Sequence, residues 1–202
     1  MEEKIIGGSL QLYLKYGIKS ITMDDVAREL CISKKTIYQF VTDKDELVEK
    51  ATKFFIHADK KNIQEIVKNH KHVVEQMAQL GSYCSKVLKN LTPSVIYDLR
   101  KYYPECWNSW LSYKNTFFYE IIYSNIKKGV EQGLYRKDLN IDIIAKFYTM
   151  QIEVIINDEV FSPLKYKFEQ ICKEFLRYHL HGICAPRGFK MVDKYIDEIY
   201  KT

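Results

Sequence analysis

Helical spacing runs through this chain almost without interruption, and that leaves few architectures open to it. Only four prolines and eight glycines punctuate 202 residues, and nowhere do apolar and polar residues alternate with the two-residue period of a half-buried strand. An all-α fold of mostly long helices follows, and sixteen tyrosines point to an aromatic interior. A chain of this size buries a core without covalent staples. The five cysteines (31, 84, 106, 172 and 184) are odd in number and form no Cys-x-x-Cys pair, so reduced thiols are expected rather than disulfides or zinc. No apolar run approaches the roughly 20 residues that span a bilayer. Met1–Lys4 is acidic and leads into an amphipathic pattern rather than a signal peptide. A cytoplasmic location away from membranes is the expectation.

The breakers divide the pattern. Ile5, Ile6, Leu10, Tyr13 and Leu14 form a first helical stripe that stops at Gly17, suited to a left-handed C-terminal cap. Thr22 precedes Met23–Asp24–Asp25 as an N-cap with carboxylates in the first turn. That helix is short, breaks at Cys31–Ile32 and restarts at Ser33, a second N-cap. Thr42–Asp43 caps a fourth helix that runs from Lys44 to about Asn69. Further helices are expected over Val73–Leu91, Ser94–Lys101 and Glu105–Gln132. Two more run from Leu139–Asn140 to about Val160 and from Ser162–Pro163 to about His181. Gly182–Gly188 reads as a loop before a charged tail helix.

Two short helices joined by a tight turn, with a third in front, outline a helix-turn-helix DNA reader. Ala27 is small where the helices must cross, and Ile32 and Ile37 are the apolar residues that pin them together. Lys34, Lys35 and Thr36 fall in the first turn of the second short helix, the end that meets base edges, and Tyr38 is placed to reach a phosphate. Total charge does not make this argument. The chain carries a net +5, yet residues 1–50 hold eight basic and nine acidic side chains. Arg28 is read as the partner of Asp24, four residues earlier.

Tyr13 with Gly17, Thr22, Val26–Ala27, Ile32–Ser33–Lys34, Ile37–Tyr38, Lys44 and Leu47 together resemble the TetR family of bacterial transcriptional regulators. The resemblance implies that Tyr38 and Lys44 touch the DNA backbone and that Lys34, Lys35 and Thr36 face bases. Thr22, Ser33 and Gln39 complete the candidate DNA-binding set, Gln39 as a reader of a base edge if the helix enters the groove deeply. Two residues depart from the family pattern. Cys31 stands where glycine is usual, and Val41 where phenylalanine is usual, with Phe40 beside it as compensation. A left-handed conformation at Cys31 would cost roughly 1 kcal/mol or more.

The expected division is a helix-turn-helix domain at 1–46 and a helical ligand-binding and dimerisation domain at 47–202. Residues 97–123 hold more aromatics than one helix–helix seam can use, which points to a pocket for a small apolar or aromatic effector. Its candidate lining is Tyr97, Tyr103, Trp107, Trp110, Tyr113 and Phe117, faced by Phe147, Met150, Gln151 and Glu153. Readers of palindromic sites work as dimers because one short helix contacts too few base pairs. The resemblance implies a four-helix interface from the last two long helices of each subunit, carrying Ile152, Ile155, Ile156, Leu164, Phe168, Ile171, Cys172, Phe175, Leu176 and Leu180.

Catalysis is not expected. His70-x-His72 and His179-x-His181 lack the spacing that puts two metal ligands on one helical face, and no phosphate loop, nucleophile elbow or di-iron pair is present. No cofactor or metal is anticipated. The partners expected are double-stranded DNA, a small-molecule effector and a second copy of the chain, in a regulator, more simply a repressor, that leaves a palindromic operator when the effector binds. The alternative is a helical adaptor with the same head whose body binds another protein.

Overall fold

The computed structural model describes residues 1–157 and 159–200, and among them every regular element is helical, with one isolated bridge between Tyr135 and Cys184. The elements are α1 (Glu2–Tyr16), α2 (Met23–Glu29), α3 (Lys34–Ile37), α4 (Lys44–Asn69), α5 (Val73–Lys89), α6 (Pro93–Tyr102), α7 (Pro104–Tyr113), a π-helical turn (Lys114–Phe118), α8 (Tyr119–Glu131), α9 (Ile141–Ile155), α10 (Phe168–Ile183) and α11 (Pro186–Ile199). They group into two compact units. The first comprises Met1–Lys61 and Asn90–Tyr113, the second Asn62–Lys89 and the described residues from Lys114 onward. The first unit therefore reaches beyond residue 46 and includes α6 and α7.

Local chemistry accounts for the boundaries in the first unit. Gly17 ends α1 with φ 86°, a backbone conformation that costs glycine nothing, and its N–H returns to the Tyr13 carbonyl. Thr22 and Asp25 form a capping box. Thr22 Oγ1 accepts the Asp25 N–H at 3.2 Å, and Asp25 Oδ2 accepts the Thr22 N–H at 2.9 Å. Ser33 Oγ caps α3 by accepting the Thr36 N–H at 3.0 Å. The core collects Ile5, Val26, Ile37, Leu47 and Val48, all essentially inaccessible, together with Val95 of α6 and Cys106 of α7. Val41 is buried there and Phe40 packs against the same cluster, so the two share the space of one larger plug.

Cys31 adopts φ 54° in the turn between α2 and α3. Its Cβ is crowded in that region, and glycine would relieve the crowding. Cys31→Gly is expected to raise stability by about 1 kcal/mol, read as a higher urea midpoint at unchanged slope. An unchanged or lower midpoint would mean that the side chain offsets its own strain.

The second unit is organised by a buried polar knot and close helix approaches. Asn125 Nδ2 donates to Val73 O (3.0 Å) and Gln76 Oε1 (2.8 Å), while the fully buried Tyr135 hydroxyl donates to Asn125 Oδ1 at 3.1 Å. Gly129 makes room for the Tyr135 ring, because a Cβ there would lie 2.0 Å from Cδ2. Four expectations change. The helix foreseen over 105–132 is interrupted by the π turn. Helix α9 ends at Ile155 instead of about Val160, and α10 begins at Phe168 rather than after Pro163. The loop expected at Gly182–Gly188 shrinks to Cys184–Ala185, because Gly182 lies inside α10 and Pro186 opens α11, where its missing N–H is harmless.

Candidate nucleic-acid interface and effector region

Ser33 fixes where α3 starts and hence which side chains its first turn presents. Lys34, Lys35 and Gln39 are exposed, Thr36 is partly so, and Tyr38 at the C-cap is 47% exposed, while Ile37 points into the core. Position 37 holds the helix down and its neighbours project from it. The Ile32 N–H bonds to the Ala27 carbonyl at 3.0 Å and closes the turn between α2 and α3.

The candidate DNA-binding residues differ in how far they are already engaged. Lys34 Nζ lies 3.1 Å from Asp24 Oδ2, an exposed pair of small worth that a phosphate can replace. Arg28 binds Asp25 at 2.9 Å, three residues back, so Asp24 is not its partner as the spacing suggested. Lys44 is half-buried and its Nζ donates to the Ile18 carbonyl at 2.7 Å. Burial, then the nearby Lys19, pulls its pKa below the usual lysine value. Two of its three N–H groups remain for a phosphate. Thr22 and Ser33 spend their side-chain oxygens on caps, accepting the Asp25 and Thr36 N–H groups.

The aromatic residues expected to line one pocket are distributed over both units. In the first, Trp107 and Trp110 stack at 4.9 Å, Arg100 lies over Trp107 at 4.4 Å, Tyr103 packs on the core, and the buried Tyr113 donates its hydroxyl to Asp59. Tyr97 is exposed and accepts from Lys101 at 2.6 Å. Burial, with Asp45 nearby, pushes Tyr103 up to about 12.

In the second unit an apolar cavity of about 20 Å³ is lined by Gly81, Cys84, Ser85, Tyr148, Phe175 and Leu176, among others. Phe147 and Met150 do not reach it. Helical spacing turns Tyr148, Ile152 and Ile155 toward the cavity and sends Phe147 and Met150 to the exposed face. Phe117 and Gln151 are partly exposed, and Glu153 pairs with Lys114. The apolar residues expected at a subunit interface fare similarly, because Ile155, Cys172, Leu176 and Leu180 are buried in their own unit. Sequence reasoning passed over Lys114, a lysine inside an aromatic run, and Gly81, where a Cβ would lie 2.9 Å from Leu176.

Residues 5–51 match the family described as bacterial regulatory proteins, tetR family. Over 191 residues the chain is 27% identical to an uncharacterized HTH-type transcriptional regulator, YvaF, of Bacillus subtilis (strain 168), spanning 92% of this chain and 96% of that one. The head of the chain, residues 5–51, is that of the TetR family. The fold of the chain is shared by a TetR transcriptional regulator from Chloroflexus aurantiacus J-10-FL, with a TM-score of 0.72 at 14% identity over 91% of this chain and 96% of that one. It is shared as well by FadR from Bacillus subtilis, solved in complex with stearoyl-CoA, with a TM-score of 0.65 at 14% identity over 91% and 100%. A head of this kind makes the chain a DNA-binding transcriptional regulator. Among the described residues no helix is long and apolar enough to cross a membrane.

Proposed function

We propose that the protein is a repressor that binds a palindromic operator as a homodimer and releases it when a small apolar or aromatic compound enters the helical body. The observation that carries this reading is the exposed first turn of α3, held by the Ser33 cap and flanked by Thr22 and Lys44. Residues 1–46 read the DNA and the remainder senses and dimerises. The dimer forms through α9 and α10, with Ile143, Phe147, Met150 and Val154 as the exposed apolar stripe of α9. Half-sites about 34–36 Å apart must match the spacing of two α3 helices, so a change of a few ångströms in that spacing on effector binding breaks register.

Fluorescence anisotropy on a series of operator variants tests the roles. Tyr38→Phe is expected to weaken binding to every sequence alike, because a phosphate contact carries no base information. Lys35→Ala and Thr36→Ala are expected to change which sequences bind, by about 1–3 kcal/mol where a base contact is lost. Lys44→Ala is expected to lower the salt slope by about one unit. Unaltered sequence preference in Lys35→Ala and Thr36→Ala, together with altered preference in Tyr38→Phe, would overturn this placement of α3 in the groove.

A further inference from the structure

One peptide group in the turn after α1 is held at both ends by charged side chains from other helices. The Lys19 N–H donates to Asp98 Oδ2 of α6 at 2.8 Å, and the Ile18 carbonyl of the same peptide accepts from Lys44 Nζ of α4 at 2.7 Å. The Ile21 N–H reaches that carbonyl as well, at a longer 3.4 Å. A carboxylate at the N–H and an ammonium at the C=O polarise the peptide in the same sense, so each strengthens the other's hydrogen bond. Asp98 is only 7% exposed, and a buried charge deprived of its hydrogen bond is costly. Helix α6 comes this close because Gly17 has no Cβ, which would lie 3.0 Å from Ser94 Oγ and 3.5 Å from Asp98 Oδ2.

We propose that Asp98 is a positioning residue for DNA binding, which fixes the carbonyl that anchors Lys44 and so aims the remaining N–H groups of Lys44 at a phosphate. The inference rests on the reading of Lys44 as a phosphate contact and names the residue that holds it in place. A free lysine side chain gives up its rotamers when it binds, whereas one already ordered binds without that loss. Without Asp98 the Lys19 N–H loses its partner, the peptide is free to turn, and the anchor of Lys44 turns with it. Charge alone predicts the opposite result, since a carboxylate beside a phosphate contact repels DNA and its removal tightens binding. A role confined to docking α6 on the head predicts lower stability with the salt dependence of binding unaltered.

The test measures the affinity of the full chain, over a range of salt concentrations, for duplexes that the parent protein selects from a random-sequence pool. Asp98→Ala is expected to weaken binding to every duplex alike by about tenfold. It is also expected to lower the salt slope by about one unit, as Lys44→Ala does. In the Lys44→Ala background, Asp98→Ala is expected to change neither quantity. Asp98→Asn is expected to bind at least as tightly as the parent with the parental slope, because its amide oxygen still accepts the Lys19 N–H. Alanine and asparagine remove the same charge, so the difference between them isolates the hydrogen bond. A parental slope in Asp98→Ala beside a lowered one in Lys44→Ala overturns the proposal. So do additive effects of the two substitutions, or binding by Asp98→Asn as weak as by Asp98→Ala. A parental slope in Lys44→Ala overturns the reading of Lys44, and this inference with it. Should Asp98→Ala fail to fold, Asp98→Ser, whose hydroxyl is too short to accept the Lys19 N–H, decides by the same slope.

Discussion

Phe147→Glu is expected to turn the protein into a monomer and to weaken operator binding by about a hundredfold or more, the usual cost of losing a linked second binding event. Ile143, Phe147, Met150 and Val154 lie at spacings of four, three and four residues along α9, one face of a helix, and are between 39% and 61% exposed. Four large apolar side chains in one row are more than a monomer leaves in water without use. A glutamate in the middle of that row would be buried without a partner in a dimer and fully hydrated in a monomer. Because the position is exposed within the subunit, the fold should be untouched and the far-ultraviolet circular dichroism unchanged. Analytical ultracentrifugation reads the outcome, and a variant that still sediments as a dimer would move the interface off α9.

The second large effect is on stability against pH. His179 is 9% exposed, its ring lies 4.5 Å from Tyr148 and 6.0 Å from Phe175, and its Nε2 is buried without a hydrogen-bond partner. Desolvation pushes its pKa from 6.5 down to about 3. The folded state thus holds the ring neutral while the unfolded chain protonates it near 6.5. The unfolded state binds more protons throughout the window between those values, so stability is complete above about pH 6.5 and declines as pH falls toward 3. At 1.36 kcal/mol per unit, roughly 2 kcal/mol is lost between pH 7 and 5. The carboxylates with lowered values, such as Asp25 and Glu46, lose their contribution mainly below about pH 5, once the unfolded chain's carboxyls at 3.8 and 4.5 take up protons. Urea unfolding at pH 7 and pH 5 should therefore show the loss in the parent and a smaller one in His179→Leu. Equal losses in the two proteins would mean that His179 is not held neutral.

The head was largely legible in the chain because its instructions are local. The caps at Thr22 and Ser33 and the left-handed Gly17 are each settled by hydrogen bonds or backbone freedom within three or four residues, and such signals survive in any context. The same holds for the side chains that project from α3. Once Ser33 starts the helix and Ile37 must be buried, 34, 35, 38 and 39 have no direction but outward. The cost at Cys31 was legible in the same way, as a condition on φ that the turn then met at 54°.

The body gave fewer such signals because burial there is decided by partners remote in the chain. Phe147 and Tyr148 are adjacent aromatics with no intrinsic preference for either face of α9. Tyr148 is inside because Phe118 and Phe175 lie against it, and Phe147 is outside because the helix has turned by about 100°. Periodicity could not reveal the π turn either, since one inserted residue shifts the register without changing the kinds of residue present. Lys114 follows the same logic, because a lysine reads as a solvated position until α9 brings Glu153 to it. Composition and local hydrogen bonding determined the helices, their caps and the DNA-reading turn. Packing between distant helices decided which aromatics line a cavity, which are left as an exposed stripe and which charge is buried, because those outcomes depend on the neighbours a residue meets and not on the residue alone.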